Sequence, residues 1–210
     1  MSKVVGVTGI GTEVGKTVVS GILAQALQAE YWKPVQAGDL NYSDSHKIEE
    51  RTQGVRILPE RYRLTSPMSP HAAAEIDGIE ISLEDFETPD YKEYLIIEGA
   101  GGIMVPMNKM GQHFGDLFHH LKVPVIVVSR HYLGSINHTM LTLNFLKQIG
   151  VEVLGLIFVG EENRTTESII TSNFDIPWVY RVPLASEVNK EFTLMEAEKI
   201  KDRLISILNQ

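Results

Sequence analysis

Residues 9–17 read Gly-Ile-Gly-Thr-Glu-Val-Gly-Lys-Thr and come directly after the apolar run 4–7. A buried strand that feeds a glycine-rich loop ending in Gly-Lys-Thr is typical of a phosphate-binding loop, because glycines let backbone N–H groups close around phosphate oxygens. Lys16 would bring positive charge to the outer phosphates, and the Thr17 hydroxyl is a ligand for Mg²⁺. The loop is a variant, since five residues rather than four separate its first glycine from the glycine of Gly-Lys-Thr. The alternative is an ordinary strand–turn–helix with a chance Gly-Lys-Thr.

Length and composition indicate a single α/β domain over residues 1–210. The chain has no cysteine, and its 27 acidic residues exceed its 19 Lys and Arg residues. The lack of cysteine excludes a disulfide scaffold and thiolate chemistry, and the acidic balance argues against nucleic acid and anionic membranes as partners. The longest apolar run, 123–128, is too short to span a bilayer, and no signal-like segment precedes the first strand. We therefore expect a cytoplasmic protein.

Strand-like apolar runs alternate with helical patterns along the chain, as in a mainly parallel central sheet with helices on both faces. Strands are predicted at residues 4–8, 31–35, 94–98, 124–129, 153–159 and 178–182. Helices are predicted at residues 15–29, 43–53 and 136–148, at a start marked by Ser69-Pro70, and from a capping box at Thr193 and Glu196 to about residue 208. Residues 53–91 are expected to form loops around short helices.

Three further polar residues are predicted at the sheet edge that carries the loop. Strand 94–98 ends in Glu98 before three glycines, so this acid can hold Mg²⁺ opposite Thr17, or else be solvated in a flexible turn. Lys33 closes the second strand and can stabilise negative charge on a substrate, although a solvated lysine is the commoner outcome. Asp44 begins a helix, where capping is slightly favoured over a second Mg²⁺ contact.

The stretch 134–137, Gly-Ser-Ile-Asn, precedes a long helix. Free N–H groups at a helix start can hold a carboxylate, but a plain helix start is the simpler interpretation of this stretch alone. The seven histidines show no metal-ligand spacing, and neighbouring His119 and His120 are expected at the surface. No Ser/His/Asp arrangement for nucleophilic catalysis is evident.

Taken together, these residues resemble the dethiobiotin synthetase family, whose fold is P-loop NTPase-like. The matching stretches follow the family's order and spacing across almost the whole chain and lie at residues 12–17, 33–35, 43–44, 69–71, 98–102 and 134–138. The first and fifth stretches are shared with related P-loop enzymes. The lysine–proline stretch and the Gly-x-Ile-Asn-His stretch are much more particular to this family.

The resemblance implies an ATP- and Mg²⁺-dependent cyclo-ligase that joins CO₂ to 7,8-diaminononanoate. One amine captures CO₂ as a carbamate, ATP converts the carbamate to a carbamic–phosphoric anhydride, and the neighbouring amine closes the ureido ring. The resemblance also implies a homodimer with shared active sites. The expected partners are therefore small molecules (the diamine and CO₂ or bicarbonate) and a second copy of the chain, without nucleic acid or membrane.

The resemblance assigns roles to individual residues. The catalytic residues are Lys33, Lys16 and Thr12. The nucleotide contacts are Glu13, Val14, Gly15, Lys16, Thr17, Val18, Asp44, Glu98, Gly99, Ala100, Gly101, Pro183, Leu184 and Ala185, and the Mg²⁺ ligands are Thr17, Asp44 and Glu98. The substrate contacts are Thr12, Lys33, Ala37 and, from the neighbouring subunit, Gly134, Ser135, Ile136 and Asn137.

The chain departs from the family pattern at three places. Ala37 stands where the family often has a serine, so that substrate contact is in doubt. Val159 stands where many members have an asparagine that reads adenine, which predicts looser base selectivity or recognition through the backbone near residues 183–185. The stretch between Pro70 and Tyr94 is also short.

Other functions share the expected fold. Relatives that amidate corrin precursors usually carry a glutaminase domain, for which these 210 residues leave no room. Nucleotide-switched partition or positioning ATPases carry a signature lysine four residues before the glycine of Gly-Lys-Thr, where this chain has Gly11. A non-catalytic regulatory module would be expected to lose some of the residues Lys16, Thr17, Lys33, Asp44 and Glu98, which are all present.

Overall fold

Nine strands form two parallel sheets in the computed structural model, which describes residues 3–209. The strands are β1 (Val4–Gly9), β2 (Glu30–Trp32), β3 (Val35–Ala37), β4 (Ile57–Leu58), β5 (Tyr62–Leu64), β6 (Leu95–Gly102), β7 (Val125–Arg130), β8 (Val153–Val159) and β9 (Val179–Val182). Seven of them build the main sheet in the order β4-β2-β6-β1-β7-β8-β9, while β3 pairs only with β5. All the pairings are parallel, which matches the uninterrupted apolar strand sequences.

Residues 3–209 also contain seven α-helices, six of which lie between strands while the seventh follows β9. They are α1 (Lys16–Leu27), α2 (Asp44–Arg51), α3 (Pro70–Asp77), α4 (Phe114–Leu121), α5 (Ser135–Gln148), α6 (Arg164–Asn173) and α7 (Lys190–Leu208). Helix α1 packs against α2 and α7, whereas α5 packs against α6. The predicted α/β class, with a parallel sheet between helices, is confirmed. The predicted domain extent, 1–210, stays a prediction, and its residues 1, 2 and 210 lie outside the described part.

The prediction of a single strand over residues 31–35 is wrong. Strand β2 ends at Trp32 in the main sheet, and β3 begins at Val35 in the small sheet. Proline 34 has no N–H for a ladder and restricts the conformation of Lys33 before it. The chain therefore leaves the main sheet at Lys33, whose side chain reaches Glu98 on β6 and Asp44.

The third predicted strand is longer than expected, because β6 continues past Glu98 through the glycines to Gly102. The glycines therefore belong to the sheet edge and do not form the flexible turn that was considered. At Gly101 the backbone φ is 63°, and a Cβ there would lie 2.7 Å from Val105 Cγ2. Only glycine fits this position without strain.

The predicted start of the last helix is also wrong. Helix α7 begins at Lys190, and the Asn189 side chain caps it by accepting from the Phe192 N–H at 3.0 Å. Thr193 and Glu196, the predicted capping box, lie inside the helix and are each 1% exposed. Asparagine is the stronger N-cap residue of the two, which favours the earlier start.

The start at Ser69-Pro70 is confirmed, since Pro70 is the first residue of α3. Residues 53–91 contain two short strands, β4 and β5, that the sequence analysis missed, and helices α4 and α6 were not predicted individually. His119 and His120 are exposed, as expected. No helix within residues 3–209 combines the length and the apolar character needed to cross a membrane.

Candidate active site

The carboxyl ends of the strands open into a cleft of about 890 Å³, as open parallel sheets favour. Sixteen of the sequence-predicted site residues line this cleft: Thr12, Glu13, Val14, Gly15, Lys16, Thr17, Val18, Lys33, Ala37, Asp44, Glu98, Ala100, Gly101, Pro183, Leu184 and Ala185. Gly99 does not line it, but its carbonyl oxygen accepts a hydrogen bond from the Lys33 ammonium at 3.0 Å. Residues far apart in the chain are thus brought together at one edge of the sheet.

The loop between β1 and α1 has the backbone of an anion site. Gly15 precedes α1 with φ of 100° and gives the helix no side-chain cap, so the N–H groups of its first turn remain available for an anion. Glu13 also has a positive φ, 57°, which curls the loop. The Lys16 ammonium lies across this loop and donates to the Gly11 carbonyl at 2.8 Å.

Nearby acids compensate the positive charge of the Lys16 ammonium only in part. Burial, together with the nearby Lys33 ammonium, lowers the pKa of Lys16 to about 8, although Glu98 and Asp44 act in the opposite direction. A phosphate bound in the loop would therefore stabilise the charged form of this lysine.

Glu98 is completely buried, and three donors hold its carboxylate. Thr17 Oγ1 and Lys33 Nζ donate to its Oε1 at 2.9 and 3.0 Å, and Tyr31 OH donates to its Oε2 at 3.0 Å. Burial and the Glu98 charge raise the pKa of Tyr31 well above its usual value, so the phenol remains a donor. Tyr31 thereby fixes the orientation in which Oε1 faces Thr17.

Lys33 lies between two acids and is not the solvated strand-end lysine considered above. Its ammonium is 2.8 Å from Asp44 Oδ2 and 3.0 Å from Glu98 Oε1, and its side chain is 4% exposed. Burial acts to lower the pKa of Lys33, but Glu98 and Asp44 outweigh it and raise that pKa. Burial likewise acts to raise the pKa of Asp44, yet Lys33 and Lys47 hold it well below its usual range. Each of these buried charges depends on its partners.

The oxygens around Lys33 suit a hard divalent cation. Thr17 Oγ1, Asp44 Oδ2 and Glu98 Oε1 are the oxygen types that Mg²⁺ binds, and the Lys33 ammonium already stands between the two carboxylates as a cation would. Within residues 3–209 no cluster of three or more His, Asp or Glu side chains is arranged to hold a metal by itself. A magnesium ion here would therefore take further ligands from phosphate and water.

Sequence reasoning missed several cleft residues: Gln36, Asp39, Lys47, Arg51 and Arg130. Lys47 and Arg51 lie three and seven positions after Asp44 on α2, a helical spacing that was available in the sequence. Lys47 Nζ pairs with Asp44 Oδ1 at 3.1 Å. No such spacing pointed to Tyr31, because a tyrosine in a short buried strand is usually part of the hydrophobic core.

Aliphatic side chains line the cleft beside the ends of β8 and β9. They are Val159, Val182, Leu184 and Val188. Val159 packs beneath the phosphate loop, since a Cβ added to Gly15 would lie 3.3 Å from its Cγ2. None of these side chains has a hydrogen-bonding group, so polar recognition in this part of the cleft falls to the backbone and to charged neighbours such as Arg130.

Residues 134–137 do not line the cleft of their own chain. Gly134, with φ of 105°, precedes α5 without a side-chain cap, and Ser135 is 2% exposed. Leu133 beside them is fully exposed, and so in part are Tyr132, Ile136 and Leu141. Large apolar side chains thus face solvent before α5 (Tyr132 and Leu133), in its first turn (Ile136) and at its middle (Leu141).

Solved structures of similar fold include a septum site-determining protein and a plasmid partition protein. The septum site-determining protein MinD of Pyrococcus horikoshii, complexed with Mg-ADP, has a TM-score of 0.59 at 16% identity, covering 99% of this chain and 94% of that one. A plasmid partition protein of Borrelia burgdorferi has a TM-score of 0.57 at 14% identity, covering 97% of both chains. At these identities the likeness shows the fold alone.

Sequence comparisons give a narrower result. A family model described as an AAA domain matches residues 3–191. The ATP-dependent dethiobiotin synthetase BioD of Christiangramia forsetii is 47% identical over 203 residues, covering 96% of this chain and 97% of the relative. Proteins of the same name from Rhodopseudomonas palustris (strain BisB18) and Brucella ovis are 42% and 43% identical, covering 92% and 88% of both chains respectively. The chain therefore has an AAA domain and belongs to the ATP-dependent dethiobiotin synthetase family.

Proposed function

We propose that this protein uses ATP and Mg²⁺ to join CO₂ to 7,8-diaminononanoate and to close the ureido ring of dethiobiotin, releasing ADP and phosphate. Family membership supports the overall activity. The structural observation that carries the proposal is the convergence in one cleft of two lysines and three oxygen-bearing side chains: Lys16, Lys33, Thr17, Asp44 and Glu98. Such a set matches phosphoryl transfer, where catalysis consists mainly of positioning and charge stabilisation.

The phosphate loop accounts for nucleotide binding. Residues 13–18 would hold the triphosphate on backbone N–H groups, with the Lys16 ammonium on the outer phosphates. Thr17, Asp44 and Glu98 would hold Mg²⁺, which, when bound, offsets negative charge on the phosphates during transfer. Gly99, Ala100 and Gly101 would lie along the nucleotide beside Glu98.

Lys33 and Thr12 would contact the carbamate and the substrate that carries it. One amine attacks CO₂ and loses a proton, and a carbamate oxygen then attacks the γ-phosphorus while the bond to ADP breaks. The second amine attacks the carbamoyl carbon, phosphate leaves with the electrons of the broken C–O bond, and the amine proton passes to solvent. The Lys33 ammonium would stabilise the carbamate and the transferring phosphoryl group, and the Thr12 hydroxyl would orient the substrate.

Ala37 also lines the cleft, but its methyl group offers the substrate no hydroxyl. A polar contact with the substrate at this position would have to come from the backbone. The other substrate contacts are proposed at residues 134–137 of a neighbouring subunit.

One experiment tests the activity directly. The protein is mixed with 7,8-diaminononanoate, bicarbonate, Mg²⁺ and ATP, and the product is analysed by mass spectrometry. We expect the cyclic urea to form together with one ADP for each product molecule. Hydrolysis of ATP without any cyclic urea would contradict the proposal.

A partition or positioning ATPase is less well supported. The fold permits it, but the signature lysine of those proteins is replaced by Gly11. A Cβ on Gly11 would meet no atom within 4 Å, so packing does not exclude a side chain there. The absence of the lysine is therefore not explained by steric restriction.

We propose a homodimer in which the start of α5 of each subunit completes the other subunit's site. Residues 134–137 lie outside their own cleft, and the uncapped helix start suits a substrate carboxylate. The apolar side chains around Leu133 would be covered by the partner. We propose no nucleic-acid or membrane partner, in agreement with the net charge of −8, and we propose a cytoplasmic location.

Leu133→Asp is expected to shift the protein from dimer to monomer and to lower the apparent affinity for the diamine, because a charge would be buried in the interface. Sedimentation velocity and steady-state kinetics measure the two effects. Met195→Asp is the matched control, since Met195 is an exposed apolar residue on α7. A Leu133→Asp protein that stays dimeric with normal kinetics would refute this interface.

Val159 predicts weak discrimination among nucleoside triphosphates. Because a site without a paired hydrogen-bonding group rejects analogues poorly, we expect kcat/KM for ATP and GTP to differ by no more than roughly tenfold. Val159→Asn is expected to increase the preference for ATP. Competition between the two nucleotides measures both values, and a strong ATP preference in the unmodified protein would contradict the prediction.

A further inference from the structure

We propose that the Lys33 ammonium occupies the position that Mg²⁺ takes, and that metal binding displaces this ammonium from the two carboxylates into the cleft. The inference rests on the proposed function in one respect, namely that Mg²⁺ binds at Thr17, Asp44 and Glu98. It adds that Lys33 and the metal are alternatives at that position.

The Lys33 ammonium has no hydrogen-bond donor to spare for a substrate. An ammonium group has three donors, and here they reach Glu98 Oε1 at 3.0 Å, the Gly99 carbonyl at 3.0 Å and Asp44 Oδ2 at 2.8 Å. The whole residue is 3% exposed. A lysine in this arrangement must give up partners before it can contact a carbamate.

The oxygens that Lys33 holds are also those that a metal would need. The other oxygen of Glu98 is taken by Tyr31, and the other oxygen of Asp44 is taken by Lys47. Thr17 Oγ1, the proposed third ligand, lies 2.9 Å from the same Glu98 Oε1 that Lys33 contacts. Metal and ammonium therefore compete for one oxygen of each acid.

Burial makes this competition exclusive. The side chains of Glu98, Lys33 and Asp44 are 0%, 4% and 19% exposed, so water only weakly screens a second cation placed between the same two carboxylates. Two acids left without any cation would be equally unfavourable at this depth. An exchange of one cation for the other satisfies both conditions, and the cleft that Lys33 lines receives the released ammonium.

The exchange would link metal binding to the contact between Lys33 and the carbamate. In this arrangement Lys33 becomes available to the carbamate only after the metal has entered. A lysine retained by its acids would leave the substrate without its charge partner.

Binding of Mn²⁺ alone to the protein, followed by electron paramagnetic resonance, tests the exchange without turnover. Lys33→Met is expected to bind Mn²⁺ more tightly than the unmodified protein, by roughly tenfold or more, the size of coupling found between close charge pairs. Lys47→Met is the matched control, because it removes one positive charge from Asp44 without freeing Glu98, and its effect should be clearly smaller. Unchanged or weaker Mn²⁺ binding by Lys33→Met would overturn the proposal.

A second measurement uses the unmodified protein and does not depend on the folding of a variant. Amine labelling with mass spectrometry compares Lys33 with the exposed Lys122 in the presence of ADP, with and without Mg²⁺. We expect Mg²⁺ to raise the relative labelling of Lys33 by roughly threefold or more, because an amine held by three partners reacts only after release. Equal labelling, or protection of Lys33 by Mg²⁺, would refute the exchange.

The proposed function and the proposed exchange can be refuted independently of each other. Cyclic urea formation by the unmodified protein, together with unchanged Mn²⁺ affinity in Lys33→Met, would retain the proposed function and remove the exchange. Tighter Mn²⁺ binding by Lys33→Met in a protein that makes no dethiobiotin would do the reverse.

Discussion

Replacing Lys33 with glutamine is expected to lower kcat for dethiobiotin formation by roughly 100- to 1000-fold, the usual effect of losing one donor to developing charge in a buried site. Glutamine keeps polar atoms near the carbamate but has no positive charge. Nucleotide should still bind, because the phosphate loop and Lys16 are unchanged. Steady-state assay of the cyclic urea gives the rate, and titration calorimetry gives the nucleotide affinity.

Lys47→Gln serves as the control for Lys33→Gln. Lys47 pairs with the same acid, Asp44, but its side chain is 27% exposed and lies one interaction further from Glu98. Its loss should change kcat only a little. A Lys33→Gln protein with a near-normal rate would remove Lys33 from the catalytic residues, whereas equal losses in both variants would indicate a general effect of charge.

Removing the carboxylate of Glu98 should weaken Mg²⁺-dependent ATP binding. In Glu98→Ala, a proposed metal ligand disappears, and the buried donors Tyr31 and Lys33 lose their acceptor. The improvement in ATP affinity that Mg²⁺ brings should shrink by roughly 10- to 100-fold, the range seen when groups that support a metal site are removed. Titration calorimetry with and without Mg²⁺ measures this difference.

Glu98→Gln is the companion variant. It keeps the shape of the side chain and an acceptor for Tyr31 while removing the charge, so it separates metal binding from packing. We expect it to lose Mg²⁺ dependence almost as strongly as Glu98→Ala while remaining the more stable protein in urea denaturation. If both variants bind Mg-ATP like the unmodified protein, Glu98 is not a metal ligand.

The phosphate loop was predictable because its chemistry is local. Residues 9–17 carry the glycines, the lysine and the hydroxyl within one turn, and strand and helix must flank them. The acid at Glu98 was predictable for a related reason, since carboxyl ends of parallel strands meet at one edge. The cleft-lining positions of Lys16, Thr17 and Glu98 follow from these two rules.

The interactions of Lys33 were not predictable in the same way. Its partner Glu98 lies 65 residues further along the chain, and no local pattern specifies which atoms meet. A solvated lysine was the commoner expectation, and only the break at Pro34 turns this one inward. Tyr31 was hidden for another reason, because a polar tip on a buried strand cannot be distinguished from ordinary core packing by sequence pattern.

The start of the last helix shows a third limit of prediction from sequence. Asn189 and Thr193 both offer good capping chemistry, and each is followed by residues that continue a helix. In the structure Thr193 and Glu196 are buried inside the helix, a tertiary feature that periodicity does not reveal. The end of the strand at Glu98 was misjudged similarly, since Gly102 still pairs with Gly9 of β1 and β6 continues through the glycines to that point.

The passage of the chain from the main sheet to the small one has a kinetic consequence for Lys33. Trp32 belongs to one sheet and Val35 to the other, and the carbonyl of Pro34 accepts from Arg61 N–H and Tyr62 N–H at 3.0 Å each. The main chain is thus clamped on both sides of the lysine. Any change in the ammonium's place must then come from rotation about side-chain bonds, a movement on the picosecond-to-nanosecond scale for unhindered groups and slower when ion pairs must break. No movement of a loop or domain is needed for such a step.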